Sequence, residues 1–204
     1  MKVVPLTPDL LERVVPVHLE AFRGYPNALL GAGYVRAFLN WFMRAPDGIA
    51  LVAIDGDGAV LGFVAGAPVG YGVRMNRDLL PVVLRQVLFR PWVLLHPRLV
   101  RAALARAKAM LFPPPQQAQT ESVAGMVSLV AIGTAEARRR GGVGSALVCA
   151  FEDAAARTGA ATLRLSVYAD NSAARALYER SGWRCATADP TARVVYYMRP
   201  IGVQ

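Results

Sequence analysis

Cysteine, charged residues and long uninterrupted apolar runs are all scarce in this sequence. Its two cysteines, Cys149 and Cys185, stand in 204 residues and belong to no CxxC or CxxH pattern. Two cysteines cannot build a disulfide framework, and their spacing does not suit zinc, so we predict no metal site. The first residues lack a sustained apolar run, which argues against a signal peptide and makes the cytoplasm the expected location.

Charged residues make up only 18% of the chain, whereas apolar residues make up 54%. This balance is ample for a hydrophobic core and argues against disorder, except at the termini and around residues 113–117. The most hydrophobic region, residues 79–95, is interrupted by Arg85, Gln86 and Arg90. It is therefore too short and too charged for a membrane span.

The charges that are present are mostly positive, with 23 Lys and Arg against 14 Asp and Glu and a formal net charge of +9. Such a balance favours an anionic partner: nucleic acid, acidic lipid or a polyphosphate cofactor. Arginine suits phosphate contacts, but an arginine-rich composition is also typical of GC-rich genomes. Since no helix-turn-helix or RNA-binding signature appears, we predict no nucleic-acid partner.

Periodicity and turn residues indicate an α/β chain. Thr7 and Pro8 form a helix start, with a hydroxyl at the N-cap and proline at the first helical position. The run Asp55-Gly56-Asp57-Gly58 is a hairpin signal between two β-prone stretches. In the first third of the chain the pattern predicts a strand at residues 2–6, helices at 8–22 and 30–44, and hairpin strands at 49–54 and 59–67.

Residues 71–121 differ in character, and we predict that they form a helical insertion between two strands of the core. Two helix-like stretches, 77–89 and 98–112, are followed by a Pro-rich turn at 113–115. The insertion is predicted to cover the acceptor side of the site as a flap.

The insertion combines positive charge with apolar residues. Between Arg74 and Lys108 stand eight basic residues and one acid, Asp78, interleaved with leucine, valine, phenylalanine and tryptophan. This pattern buries apolar area while the arginine heads stay in water. Three receiving surfaces are open: the chain's own core, a second subunit in a homodimer, and weak membrane-surface contact through residues 74–112.

From residue 122 the strand and helix signals become more regular. Gly141, Gly142 and Gly144 open a helix, and Gly159 is its expected C-terminal cap. The pattern then predicts strands at 123–132 and 162–167, a short helix at 173–180 capped by Asn171 or Ser172 and ended by Gly182, and a strand pair at 183–187 and 194–198. We interpret residues 1–204 as one domain.

The glycine-rich loop after Arg138 has the properties of an anion site. Its glycines let the backbone turn tightly and let a ligand approach. The first N–H groups of the following helix lack partners, and the helix dipole adds partial positive charge there. Arg138, Arg139 and Arg140 precede the glycines, so the loop suits a pyrophosphate. A solvated arginine run before a structural glycine turn is the alternative interpretation.

Two other phosphate motifs fit this loop less well. A P-loop needs lysine before Ser145, where the chain has Gly144. A dinucleotide fingerprint needs a third glycine where the chain has Leu147, and a strand directly before the loop. Asp170, after the next strand, mimics the ribose-binding acid of such folds, so this alternative stays open.

The loop and a second segment together resemble the GNAT superfamily of N-acetyltransferases. Arg139, Gly142 and Gly144 match the acyl-CoA motif Q/R-x-x-G-x-G/A, and residues 171–183 match the segment N-x-x-A-x-x-L-Y-x-x-x-G-F/W. The resemblance is specific over 126–183, looser in the N-terminal third and absent for the insertion. It implies an α/β GNAT fold: a mixed, mostly antiparallel twisted sheet with helices on both faces, and the helical insertion before the pantetheine-binding strand.

This resemblance implies an acetyl-CoA-dependent N-acetyltransferase that passes an acetyl or short acyl group to a primary amine by direct attack. Two parallel strands, near 126–133 and 162–168, would splay apart and hold the pantetheine arm as an added strand. Backbone N–H groups near Ile132 would stabilise the oxyanion, and Tyr178 would protonate the departing CoA thiolate. The implied acyl-CoA-binding residues are Ile132, Gly133, Thr134, Arg139, Arg140, Gly141, Gly142, Val143, Gly144, Ser145, Asn171 and Tyr178.

The resemblance does not supply a base for the amine. Family members often carry glutamate on the pantetheine-binding strand, but this strand begins Met126-Val127-Ser128-Leu129 and has none. His18 and Glu20 are candidate bases, each weighed against an ordinary structural role, and a water relay is the third option. A non-catalytic acyl-CoA-binding or membrane-surface module on a GNAT scaffold is therefore the alternative function. The acceptor side is expected from residues 20–33 and the insertion.

Overall fold

A computed structural model describes residues 1–89, 100 and 125–201 of the chain. Within them, one sheet has the strand order β1-β2-β3-β4-β5-β7-β6. In chain order the elements are β1 (Lys2–Pro5), α1 (Pro8–Ala21), α2 (Pro26–Leu29), α3 (Ala32–Arg44), β2 (Ile49–Ile54), β3 (Val60–Pro68), α4 (Tyr71–Phe89), β4 (Met126–Thr134), a 3₁₀ turn (Glu136–Arg138), α5 (Val143–Arg157), β5 (Thr162–Tyr168), α6 (Ser172–Arg180), β6 (Arg184–Cys185) and β7 (Val194–Pro200).

The sheet is mixed and mostly antiparallel, as predicted. Five of its neighbouring strand pairs are antiparallel, and β4 with β5 is the parallel pair among the described strands. The predicted hairpin is confirmed by β2 and β3, where the amide N–H groups of Asp57 and Ala59 both donate to the Asp55 carboxylate. These side-chain hydrogen bonds add to two backbone hydrogen bonds of the same turn, from the Asp55 N–H to the Ala59 carbonyl and from the Gly58 N–H to the Asp55 carbonyl.

Helices cover both faces of the sheet, also as predicted. On one face α1 and α3 pack over β2 and β3, and α4 packs against α3, with Phe38, Phe42 and Phe63 in the centre of the core. On the other face α5 packs over β2, β3 and β4 around Leu147 and Phe151, and α6 packs beside it near β6 and β7. All five of these side chains are at most 2% exposed. The sheet therefore separates two apolar cores, and an opening between two of its strands connects the two faces.

The first of these helices differs in detail from its prediction. Thr7 is the N-cap residue of α1, and Pro8 occupies its first turn, but the Thr7 side chain makes no capping hydrogen bond.

The predicted helix at 30–44 begins instead at Ala32, after an additional turn of helix at Pro26–Leu29. Gly31 has a φ of 86° between these two helices. A residue in the left-handed region interrupts a helix, which is why the predicted helix begins two residues late and stays separate from α2.

The described part of the insertion is a helix that begins earlier than predicted, at Tyr71 instead of residue 77. Its inner face carries Met75 and Leu79, which are buried in the first core. The Trp41 indole N–H donates to Asp78 at 3.0 Å, and this bond ties α4 to α3. The helix therefore packs on the chain's own core, which was the first of the three predicted surfaces.

The outer face of α4 remains exposed, including Leu80, Leu84 and Leu88. The homodimer and membrane contacts therefore stay predictions. The second helix-like stretch at 98–112 and the turn at 113–115 lie outside the described residues, apart from residue 100. No helix within the described ranges is long and apolar enough to cross a bilayer.

Candidate functional site

The opening between β4 and β5 is the central feature of the site. The two strands pair in parallel from Met126 opposite Thr162 to Leu129 opposite Leu165, and there the pairing ends. Both continue past this point, β4 to Thr134 and β5 to Tyr168. The continuing part of β4 still pairs with β3 on its other side. One edge of β4 therefore offers backbone hydrogen-bonding groups to a ligand lying between the strands.

A β-bulge in β4 begins where the strands diverge. Ala65 of β3 lies opposite Ala131, but the next β3 residue, Gly66, lies opposite Leu129, so Val130 is the extra residue. Leu129 belongs to the core under α5, whereas Ala131 belongs to the core under α1 and α3. A bulge bends the strand and reverses the faces of the residues that follow. It thereby turns the end of β4 away from β5.

The end of α1 packs tightly against β4 beside the opening. A Cβ built on Gly133 would lie 2.8 Å from a ring carbon of Phe63 and 2.9 Å from the Cβ of Ala21. Both separations are below normal van der Waals contact, so glycine at position 133 permits this approach. The close packing brings Phe22 and the loop after α1 to the mouth of the opening.

The glycine-rich loop adopts the conformation expected of an anion site. Arg140 and Gly142 have φ angles of 63° and 78°, and Gly142 is the N-cap of α5 without a side-chain cap. A Cβ on Gly142 would meet no atom within 4 Å, so the backbone faces open space. The first N–H groups of α5 have no partner within the helix and point into this space. Positive φ angles in such a turn orient successive N–H groups toward one point, which favours an anion.

Arginines surround this loop, as predicted. Arg138 lies 3.6 Å from Asp55, and Arg139 lies 3.8 Å from Glu136. All four side chains of these pairs keep contact with solvent, so the pairs contribute little to stability and leave the arginines available to a phosphate.

Helix α6 forms the opposite wall of the site. Asn171 caps it by accepting the Ala174 N–H at 3.1 Å, which confirms one of the two predicted caps. Leu177 rests on α5 where Gly144 has no side chain, since a Cβ there would lie 3.1 Å from Leu177 Cδ2. The second motif glycine therefore lets the two helices approach each other beside the opening.

Tyr178 lies at the centre of this wall. Its side chain is 4% exposed and packs against Trp183 and Tyr197, with ring centroids 6.1 and 6.0 Å away. Burial raises the pKa of the Tyr178 phenol, because the charged phenolate loses its hydration. The phenol therefore stays protonated throughout the physiological range and is able to donate a proton.

A network that the sequence analysis missed holds α6 in place. Tyr197, which is fully buried, donates its hydroxyl hydrogen to Glu179 at 2.5 Å and accepts from Arg175 at 3.2 Å. Arg175 also donates to the carbonyl of Ala169 at 3.2 Å. Burial is the main cause that raises the pKa of Tyr197. A tyrosine in an alternating strand pattern gives no sign that its hydroxyl contacts a distant helix.

These parts enclose one cleft of about 1030 Å³. It is lined by most of the predicted acyl-CoA residues: Ile132, Gly133, Thr134, Arg139, Arg140, Gly142, Gly144, Ser145, Asn171 and Tyr178. Gly141 and Val143 do not line it, and Val143 is buried in the core, so that only its backbone faces the loop. The cleft is also lined by residues that no motif indicated: Ala21, Phe22, Tyr25, Pro26, Asn27, Ser166, Val167 and Tyr168. Several of these fall in the stretch 20–33 that was expected on the acceptor side, whereas α4 contributes none.

The two candidate bases lie outside the cleft. The His18 side chain is fully buried, and its ring stacks on Phe22 at 4.6 Å and on Phe63 at 5.4 Å. Burial lowers the pKa of His18 to about 4. The Glu20 carboxylate accepts the Glu136 N–H at 3.2 Å and so holds the turn after β4. The structure therefore contradicts a role for His18 as base and gives Glu20 a structural function.

The comparisons with known proteins agree with this architecture. Residues 98–183 match the model of the acetyltransferase (GNAT) family. The chain has the GNAT fold. The resemblance drawn from the two GNAT motifs is confirmed, but the match begins at residue 98, so the prediction that the whole insertion lies outside the resemblance is wrong.

Solved structures of GNAT proteins superpose along nearly the whole chain. A GCN5-related N-acetyltransferase from Kribbella flavida is 20% identical, with 98% of this chain and 97% of that chain covered and a TM-score of 0.61. The ribosomal-protein-S18-alanine N-acetyltransferase from Escherichia coli is 16% identical, with 100% and 95% covered and a TM-score of 0.59. The PaiA N-acetyltransferase from Thermoplasma acidophilum, solved with coenzyme A, is 12% identical, with 98% of each chain covered and a TM-score of 0.56. No curated protein matches the sequence significantly.

Proposed function

We propose that this GNAT protein is an acetyl-CoA-dependent N-acetyltransferase that acylates a primary amine by direct attack. One observation carries the proposal. The opening between β4 and β5, the glycine-rich loop that begins α5 and the buried phenol of Tyr178 all line one cleft. The complex of a GNAT-fold relative with coenzyme A supports the choice of co-substrate.

The residues present fit an acyl-CoA. The edge of β4 beyond Leu129 is free of β5, which suits the amides of a pantetheine arm. The open backbone at Gly142 and the start of α5 suit a pyrophosphate, with Arg139 and Arg140 beside it. Acetyl-CoA, when bound, supplies the thioester whose carbonyl carbon the amine attacks.

Three atoms change charge or protonation in this reaction: the carbonyl oxygen, the thioester sulfur and the amine nitrogen. Backbone N–H groups near Ile132 and Gly133 donate to the oxygen that becomes negative in the tetrahedral intermediate. As the carbon–sulfur bond breaks, Tyr178 donates its proton to the sulfur and prevents release of a free thiolate. The amine nitrogen loses its extra proton to water, and Tyr178 regains a proton from solvent, so that the products are an amide and CoA thiol.

The competing function is a non-catalytic acyl-CoA-binding module. It is favoured by one observation, namely that no described residue lining the cleft is Asp, Glu or His. Tyr178 argues the other way, because a module that only binds does not require a proton donor at the sulfur.

Two measurements on the purified chain test the proposal. Calorimetry with acetyl-CoA measures binding, and a thiol-release assay over a panel of primary amines measures transfer. We expect both to be positive, with release dependent on the amine. Binding without amine-dependent release from any amine would establish the non-catalytic module.

A further inference from the structure

The acceptor half of the cleft has aromatic and apolar walls. Phe22 and Tyr25 come from the end of α1 and the following loop, and Tyr168 comes from the end of β5. The Tyr25 ring meets Tyr168 edge to face at 5.4 Å and Phe22 at 5.7 Å. This wall adjoins the core under α1, whereas the phosphate-type loop begins α5 on the other face of the sheet. An amine therefore approaches the opening along these rings.

This cleft offers a bound amine no proton acceptor among its described residues. Its ionisable lining residues are four arginines and three tyrosines: Arg138, Arg139, Arg140, Arg180, Tyr25, Tyr168 and Tyr178. Arginine has no lone pair to accept a proton, and a neutral phenol is a weak acid and not a base. The lining therefore carries positive charge and no base.

The carboxylates nearest the cleft have other partners or face solvent. Glu20 accepts the Glu136 N–H, Glu136 lies 3.8 Å from Arg139, and Glu179 accepts the Tyr197 hydroxyl. Asp170 precedes the lining residue Asn171 but is exposed and does not line the cleft. Outside the described ranges, the sequence has one further histidine, His96, and one further acid, Glu121.

Two consequences follow for the acceptor. A second positive charge on the substrate would find no counter-charge among the described lining residues, so polycations are disfavoured. The reacting nitrogen must also arrive already neutral. At pH 7 about one tenth of an α-amine of pKa about 7.7–8.0 is neutral, but fewer than about one in a thousand alkyl amines of pKa about 10.4 are.

We infer that the acceptor is a weakly basic monoamine on an aromatic or apolar body, which packs against the wall formed by Phe22, Tyr25 and Tyr168. Polyamines and amino-sugars are poor acceptors. This inference rests on the proposed function and deepens it. The neutral nitrogen attacks the thioester carbon, and its proton passes to water once the new bond has formed.

A pair of amines with the same aromatic body tests the inference: L-phenylalaninamide, whose amine is weakly basic, and 2-phenylethylamine, whose amine is strongly basic. At pH 7 we expect kcat/KM to be at least about tenfold higher for phenylalaninamide. The value for phenylethylamine should rise about tenfold per pH unit between pH 7 and 9, whereas that for phenylalaninamide should level off above about pH 8. Spermidine, a polycation, should give the lowest value.

A matched pair of variants tests the charge argument at the wall. Tyr168→Glu places a carboxylate beside the amine, and Tyr168→Gln has the same size without charge. We expect the ratio of spermidine to phenylalaninamide turnover to be at least about tenfold higher in the glutamate variant, with equal affinity for acetyl-CoA in both. Equal ratios in the two variants would contradict the charge argument.

The outcomes separate the two proposals. Equal turnover of the two aromatic amines at pH 7, or a wild-type preference for spermidine, overturns this inference and leaves the N-acetyltransferase in place. Absence of thiol release with every amine defeats the proposed function, and this inference with it.

Discussion

The hydroxyl of Tyr197 donates a 2.5 Å hydrogen bond to Glu179, the residue that follows Tyr178. Because Tyr197 is on β7 and Glu179 on α6, the bond ties the helix that carries the proposed acid to the sheet. The position of the Tyr178 phenol in the cleft therefore depends on a side chain that does not line it.

Replacing Tyr197 by phenylalanine should loosen α6. The variant loses the bonds to Glu179 and Arg175, and we expect unfolding free energy to fall by about 0.5–1.5 kcal/mol in urea titrations. Tyr196→Phe is the matched control, because Tyr196 is 41% exposed and its ring contact with Arg164 survives the change. The control should change stability by less than about 0.5 kcal/mol. Equal effects of the two substitutions would show that the hydroxyl network does not hold the helix.

Replacing Gly142 by aspartate should weaken the binding of acetyl-CoA. The side chain adds negative charge where we place the pyrophosphate, and we expect affinity to fall at least about tenfold in calorimetry. Gly58→Asp controls for backbone strain, since Gly58 has a φ of 77° and open space around it, like Gly142 at 78°. Both variants should lose similar stability, but only the change at Gly142 should affect affinity. Unchanged affinity in the Gly142 variant would contradict the phosphate site.

Replacing Tyr178 by phenylalanine should slow the chemical step by about 10²–10⁴-fold, which is the usual contribution of a general acid. Affinity for acetyl-CoA should change much less, because the ring and its packing on Trp183 remain. Single-turnover measurements separate the chemistry from product release. A chemical rate within about twofold of wild type would remove Tyr178 from the mechanism.

The buried His18 should make stability depend on pH. Its folded pKa of about 4 lies below the unfolded value, so the unfolded chain binds more protons at intermediate pH. Stability should therefore be unaffected by His18 above about pH 6.5 and should fall, by up to about 1.4 kcal/mol per pH unit, between about pH 6.5 and 4.

His18→Leu removes this titration, so its stability relative to wild type should improve steadily as the pH falls through that window. Urea titrations at several pH values measure the difference, and they remain informative even if the leucine variant is less stable at pH 8. A difference that does not vary with pH would show that His18 does not titrate on unfolding.

Local sequence determined most of the elements and the chemistry of the loop. The hairpin, the helix after Pro8, the glycine turn and the Asn171 cap each depend on residues close together in the chain, whose preferences act before any tertiary contact forms. The two GNAT motifs could be recognised in the sequence because each is one contiguous stretch of the chain. Local preference was insufficient where a single glycine intervened, as at Gly31, which delays the start of the predicted second helix to Ala32.

The tertiary structure alone decided where the site opens and what surrounds it. The end of β4–β5 pairing at Leu129, the bulge at Val130 and the close approach of Ala21 to Gly133 arise from packing between segments at least 36 residues apart. The burial of His18 and the contact from Tyr197 to α6 have the same origin. Strand register and burial are properties of the assembled layers, so a residue's own neighbours in the sequence do not encode them.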